Sequence, residues 1–517
     1  MNSIKKVVKE ADWIFLVFLL IFLNQSNFSL KTVGIAFIYL MRPNLKFGFF
    51  KGRLPKFYLF IIGLSLVNFL FIIRDFSYQY LAAFGVASLL WIYSFLAYHQ
   101  LKLSVEKFGE KNISTLKVFT ILNFIVSIGQ LIRVMAVTGK LNPYQGLDFP
   151  YGLSTGDNLY GIFLQNSYYN VMTCAFLSIY FLYNKNFILS VLSAVTLILV
   201  FANTGTIIFI VALMMIFFLG LLAGILAKYP RFSSISSAIS NIRPPSDYYK
   251  TVPAILLLIG ILSYIISPQN ITYTVMSFVT KIHQGVSAKD QNKLYSFNQK
   301  INELKIQRSD DTASSATIDT QIYIQNYTNI INEKEQMSNE YIHKFKGKKL
   351  SIIETIQYLK SSPAALLFGA GPVRFSSTTA QRMSGFDSSR IFMKILPRFS
   401  SKQYEENHRL LIKARYENSA DYRSSINWPD CFYNQLLGEY GVLGLLLFLI
   451  FYVGYFVKKI RFWSYGFWLC VLLIPFALFS YLFESFAVII IYEFLMELDI
   501  KKNARKLSTG HGVNAGI

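Results

Sequence analysis

Apolar runs recur along almost the whole chain. They fall at residues 11–25, 29–41, 57–73, 79–98, 116–137, 160–182, 186–202, 205–227 and 251–267, then resume after a polar block at 432–457, 462–481 and 484–499. A helix that crosses the hydrocarbon core needs about 17–25 apolar residues, and most of these runs reach that length. The pattern therefore predicts an all-α polytopic membrane protein with about twelve transmembrane helices. The first two runs are short and flank Asn24-Gln25-Ser26-Asn27, which predicts a tight hairpin; the last is also short, so eleven spans is the alternative. No small-residue cleavage site follows Lys5, Lys6 and Lys9, so the first span is expected to be retained.

Four segments follow: an N-terminal membrane domain (1–267), a large polar loop (268–430), C-terminal spans (431–500) and a tail (501–517). Charge orients them. The N-terminus and alternate inter-span segments carry 24 basic residues, among them Lys5, Arg42, Lys102, Lys185, Lys228, Lys458 and Lys501. The opposite short loops carry three: Lys31, Arg74 and Lys140. By the positive-inside rule both termini face the cytoplasm and the large loop faces outward.

Composition sharpens this picture. The chain has 517 residues, 53% hydrophobic and 15% charged, with a mean hydropathy of +0.41. The net charge of +22 would suggest nucleic acid in a soluble protein. Here the basic residues sit between spans, which argues against a nucleic-acid partner. Cys174, Cys431 and Cys470 and the five histidines show no metal-ligand spacing, and no cofactor is expected.

The polar loop changes character midway. Between Lys281 and Lys349 it is rich in Gln, Asn, Lys and Ser, and Leu294, Phe297, Ile301 and Leu304 recur at helical spacing. Ile322, Ile324, Tyr327, Ile330 and Ile331 suggest a second helix, so a polar helical hairpin is expected there. From Leu350 the residues Ile352, Ile353, Ile356 and Leu359 form an apolar helix face, which Ser361-Ser362-Pro363 ends. The glycine turn Phe368-Gly369-Ala370-Gly371-Pro372 follows. Seven of the ten basic residues from Arg374 to Arg423 are arginine.

That shift to arginine is the main chemical signal, because a guanidinium grips phosphate or carboxylate oxygens bidentately. Arg374, Arg390, Arg409 and Arg423 are candidate contacts to a lipid diphosphate; the bland alternative is a basic surface facing anionic lipids. Arg133, near the outer end of the fifth span, joins them, although a cation at that depth can also snorkel to the interface. Asp430 is the candidate general base, with Glu439 second and His408 as fallback. An aspartate at a helix start also makes a good N-cap. Asp430 and Glu439 lie nine residues apart, so they do not share one helix face at equal depth. Glu439 lies deeper, and an arginine from the loop is its expected partner. Gly438, Gly441 and Gly444 predict close helix packing.

Two segments carry a resemblance. Leu366-Leu367-Phe368-Gly369-Ala370-Gly371-Pro372-Val373-Arg374-Phe375, followed by Gln435-Leu436-Leu437-Gly438-Glu439-Tyr440-Gly441-Val442-Leu443-Gly444, resembles the O-antigen polymerase/ligase family. The order of the segments and one dominant outer loop late in the chain match as well. The resemblance implies a C-type glycosyltransferase architecture with a large, mostly helical extracytoplasmic loop. It implies a metal-independent enzyme of the bacterial cytoplasmic membrane acting on undecaprenyl-diphosphate-linked oligosaccharide, with membrane lipids, a chain-length regulator and a flippase as partners. In that family arginines hold the diphosphate and a base activates the acceptor hydroxyl. Ligases of the family carry a histidine-asparagine pair where this chain has Asp430-Cys431, so the polymerase branch is the closer match. The arginine that often opens a middle span is missing from Asn203-Thr204-Gly205-Thr206. A ligase and a non-enzymatic flippase or transporter of lipid-linked glycan are the alternatives. No internal repeat of the kind seen in transporters is visible.

Overall fold

A computed structural model describes residues 2–24, 28–47, 54–72, 77–144, 158–164, 166–200, 202–226, 248–266, 347–385, 397–409, 411–412, 428–461 and 464–510. Among these residues there is helix and no strand. The helices are α1 (Asn2–Glu10), α2 (Trp13–Phe22), α3 (Phe28–Met41), α4 (Phe57–Ile72), α5 (Tyr78–Thr138), α6 (Ser167–Tyr183), α7 (Phe187–Leu199), α8 (Asn203–Leu226) and α9 (Tyr248–Ile266). After the polar block come α10 (Gly347–Lys360), α11 (Pro363–Phe368), α12 (Thr378–Met383), α13 (Phe432–Val457), α14 (Tyr465–Ala477) and α15 (Ala487–Gly510). The chain divides into two compact units, residues 1–262 with 345–517, and residues 263–344. The described part of the polar block from 347 onward thus shares a unit with the apolar helices. The hairpin expected at 281–349 lies almost wholly outside the described residues.

Among the described residues three helices are long and apolar enough to cross a membrane: Tyr78–Thr138, Thr204–Leu222 and Phe432–Val457. Six more apolar helices are shorter. Large apolar side chains such as Phe71, Phe218, Leu257, Ile450 and Ile474 are exposed on these helices. In water such surface costs about 25 cal/mol per Å², a penalty that a bilayer removes. The architecture is that of a membrane-embedded helical protein.

The runs at 79–98 and 116–137 were expected to flank a polar loop. Instead they join in the single helix α5, whose backbone leaves helical geometry only at Phe108. The polar residues between them find tertiary partners, so the backbone can stay helical. His99 Nδ1 pairs with Tyr39 Oη at 2.8 Å, Ser104 Oγ donates to Asn112 Oδ1 at 3.0 Å, and Thr115 Oγ1 accepts from Asp12 N–H at 2.9 Å. Lys102 ion-pairs with Glu497 at 3.3 Å.

Helix α15 is enclosed on all sides from Ala487 to Leu498. It carries three buried carboxylates that the sequence pattern did not single out. Glu493 accepts from Tyr58 and, at 2.9 Å, from Tyr452; Glu497 accepts from Tyr98 and Lys102; Asp499 accepts from Ser464 Oγ at 2.5 Å.

Candidate functional site

The two segments of the resemblance meet in space. Helix α13 breaks at Gly441, whose φ of 66° is left-handed, and the break frees carbonyls that would otherwise bond one turn on. The turn after α11 fills the gap: Ala370 N–H donates to Gly438 O at 2.8 Å and Gly371 N–H to Glu439 O at 2.9 Å. Asn68 Nδ2 of α4 donates to Phe368 O at 2.9 Å and staples the turn from the other side. Backbone exposed at such a break is tolerated inside a bilayer only when protein covers it. The approach demands glycine: a Cβ on Gly441 would lie 2.3 Å from Leu367 O, and one on Gly369 (φ 73°) 2.5 Å from the Glu439 carbonyl carbon. Close packing was expected at Gly438 and Gly441, but the partner is this turn rather than a neighbouring helix.

Local sequence sets up the surrounding elements. Ser362 caps α11 by accepting from Ala365 N–H at 3.1 Å, with Pro363 at the first helical position. Ser377 caps α12 through Ala380 N–H at 3.0 Å. In α10 the side turned inward is Leu350, Ser351, Thr355 and Leu359, whereas Ile356 of the predicted apolar face is exposed. Polar contacts decide that rotation: Asn434 Nδ2 donates to Ser351 Oγ at 2.8 Å.

Asp430 does not cap α13; Cys431 holds that place and makes no side-chain cap. The Asp430 carboxylate, half-buried, instead accepts from Gln381 Nε2 of α12 at 3.0 Å. Its backbone carbonyl accepts from Lys348 Nζ at 2.5 Å, and the same ammonium reaches Trp428 O at 3.1 Å. Tyr169 and Tyr481 lie within electrostatic range of both Asp430 and a further carboxylate, the half-buried Glu484. Glu484 accepts from Thr378 N–H at 2.5 Å and Thr379 Oγ1 at 2.9 Å, with Arg382 also in its field.

Arg374 leaves the glycine turn half-buried, with its guanidinium carbon 5.5 Å from the centre of the Tyr80 ring. It donates to Gln403 Oε1 at 3.4 Å, and its buried Nε has no hydrogen-bond partner. Arg409 ion-pairs with Glu405 at 2.5 Å. The Tyr404 phenol stands in the field of Asp430, Glu405 and Arg409, and burial raises its pKa well above the usual phenol value. His408 is fully buried against Phe375, ring centres 4.9 Å apart, and neither ring nitrogen has a partner. Burial lowers its pKa from 6.5 to about 3, so it is neutral at physiological pH.

Of the predicted site residues, Asp430, Glu439, Arg374, Arg409 and His408 gather around α12 and the 402–409 turn. Arg133 is exposed on α5, apart from this cluster's described contacts, and Arg390 and Arg423 lie outside the described residues. Glu439 is buried but forms no ion pair with a loop arginine among the described residues. Oε1 of its carboxyl group has no hydrogen-bond partner. Gln381, Lys348 and Glu484 carry no signal in the sequence pattern, and Arg382 belongs to the arginine cluster without standing out among its members. A half-buried carboxylate beside a threonine pair at a helix start carries no local signature.

Comparison with protein-family models, with curated proteins and with solved structures finds no match.

Proposed function

We propose that the protein polymerises lipid-linked oligosaccharide repeat units at the outer face of a bacterial cytoplasmic membrane. Both termini are then cytoplasmic, and about twelve spans form the scaffold. The observation that carries this reading is the gathering of a half-buried carboxylate, Asp430, with Gln381, Arg382, Arg374 and Arg409 where the two motif segments meet. Asp430 accepts the proton of an acceptor sugar hydroxyl as the hydroxyl oxygen bonds to the anomeric carbon. The bond from that carbon to the diphosphate oxygen breaks, and the diphosphate leaves with its charge held by Arg374 and Arg382. Arginines aimed at developing charge are well suited to that task. Arg133, Arg390 and Arg423 remain candidates for the same headgroup or its lipid. A flippase of lipid-linked glycan is the second reading, favoured by one observation, the interrupted helix α13.

One assay separates these readings. In a deletion strain, glycan length is compared for wild type, Asp430→Asn and Arg374→Ala at equal membrane abundance. Loss of the long-chain ladder with single units still reaching the outer face supports polymerisation. Single units trapped on the cytoplasmic side overturn it in favour of the flippase. A ladder unchanged in both variants removes Asp430 and Arg374 from the site.

A further inference from the structure

We propose that Lys348 is a positioning residue for Asp430, a role that rests on Asp430 being the base named above. Lys348 is buried, and a buried cation is costly unless its donors are used. Its Nζ donates to Asp430 O at 2.5 Å and to Trp428 O at 3.1 Å, and lies 4.9 Å from the centre of the Phe479 ring. One turn along α10, Ser351 Oγ donates to the carbonyl between those two, Pro429 O, at 3.4 Å. Three consecutive carbonyls thus meet one face of α10. Residues 428–430 form no regular element, and Pro429 offers no N–H. In extended backbone residues i and i+2 face the same way and the one between them faces the opposite way. Clamping 428 and 430 together fixes the rotation of this segment about its own axis. It thereby sets the side from which the Asp430 carboxylate leaves, the side on which Gln381 Nε2 meets Oδ1 at 3.0 Å.

Two other lysines hold carbonyls in the same manner, and the difference locates the role of Lys348. Lys31 Nζ donates to Phe22 O, the last residue of α2, and to Asn24 O. Lys501 Nζ donates to Val105 O at 2.5 Å and to Glu106 O at 2.8 Å, just before the break in α5 at Phe108. Both serve the carbonyl end of a helical stretch, where carbonyls lack partners and the macrodipole favours a cation. Lys348 sits at the opposite pole. The segment it holds leads into the N-terminus of α13, where the dipole disfavours a cation, so helix capping does not account for it. The usual device for fixing entry to such a helix is missing too, because Cys431 makes no side-chain cap. Instead Asn434 Nδ2, in the first turn of α13, donates to Ser351 Oγ at 2.8 Å and joins the same face of α10. Lys348 and Ser351 hold the entry to α13 from outside, and the Asp430 carboxylate is left out of that task.

The test uses the full chain in membranes of the deletion strain, whose own accumulated lipid-linked units are the probe. Lys348→Ala should lower polymer formation about 10–100-fold, the loss of one charge-assisted hydrogen bond expressed as a rate. Added ethylammonium, which can refill the place of the lost ammonium, should restore part of that rate. In the Asp430→Asn background the same lysine change should cost little more and ethylammonium should restore nothing, because the group to be positioned is gone. Ser351→Ala, the milder variant, loosens the segment through Pro429 and should show the same pattern at smaller size. Hydrogen exchange at the Asp430 and Cys431 amides, read in nanodiscs, should speed about tenfold in Lys348→Ala. An equal cost of Lys348→Ala in both backgrounds marks a merely structural lysine and overturns the proposal, as does unchanged exchange at the two amides. If Asp430→Asn by itself leaves polymer formation unchanged, the reading of Asp430 as base falls, while exchange still decides whether Lys348 clamps the segment.

Discussion

Two sets of charged groups in this molecule, one fully buried and one half-buried, are treated differently. On α15, Glu497 is met by the Tyr98 phenol and the Lys102 ammonium, and Asp499 by Ser464 and Asn503. These partners come from α5, from α15 and, for Ser464, from the N-cap of α14, and these groups are largely closed off from any outside ligand. Around α12, among the described residues, Asp430 receives a single side-chain donor and Arg374 keeps an unused Nε. Both are half-buried and stand on short loop elements. A charged group whose capacity is filled by rigid neighbours holds the fold, whereas one with capacity left over can meet something else. Glu493 is intermediate: two phenols fill Oε1, and Oε2 has no partner.

This contrast can be broken by mutation. The largest effect is expected at the outer set, where Asp430→Asn should lower polymer formation by about 10²–10⁴-fold, the contribution of a general base. Thermal stability should stay near wild type, because asparagine still accepts from Gln381. Loss of stability in step with activity would place Asp430 among the fold-holding groups instead. Next comes Lys102→Met, which strands Glu497 and should cost about 3–5 kcal/mol in detergent unfolding. Adding Glu497→Gln should recover much of that loss. Gly441→Ala should destabilise by more than about 1 kcal/mol, because both its φ and its approach to Leu367 exclude a side chain. Denaturant titration of the purified protein measures it.

His408 sharpens the contrast through pH. Its folded pKa of about 3 lies below the ordinary 6.5, so the unfolded chain binds more protons between those values. The stability it contributes is complete above pH 6.5 and is lost as pH falls toward 3. His408→Phe should flatten that part of the acid-unfolding curve. The smallest effect is expected from Arg133→Ala, an exposed position on α5, with stability within about 0.5 kcal/mol of wild type.

Much of the fold was readable from local features. Each of the twelve apolar runs overlaps a described helix, two of them the same helix α5, and Ser361-Ser362-Pro363 ends α10 and starts α11 as its chemistry implies. The glycine turn and the opening of α13 were both visible as unusual stretches. Their mutual docking was not, because nothing in either stretch names its partner. By their positions between apolar runs Lys31 and Lys102 count as loop charges. Both are buried, Lys31 on the carbonyls of Phe22 and Asn24, and Lys102 on Glu497.

What the chain determines alone is what acts over a few residues: apolar length, glycine and proline stops, caps, and the clustering of arginine after Arg374. These follow from each residue's own sterics and solvation. What tertiary structure decided is which polar group meets which. Gln381 finds Asp430 across 49 positions, and Asn68 finds Phe368 across 300. Glu439 has no loop arginine paired with it among the described residues; its backbone carbonyl instead accepts from Gly371 N–H, because the break at Gly441 admits the turn there. In a low-dielectric interior a buried polar group must be satisfied by whatever packing delivers to it, and packing is a property of the whole chain.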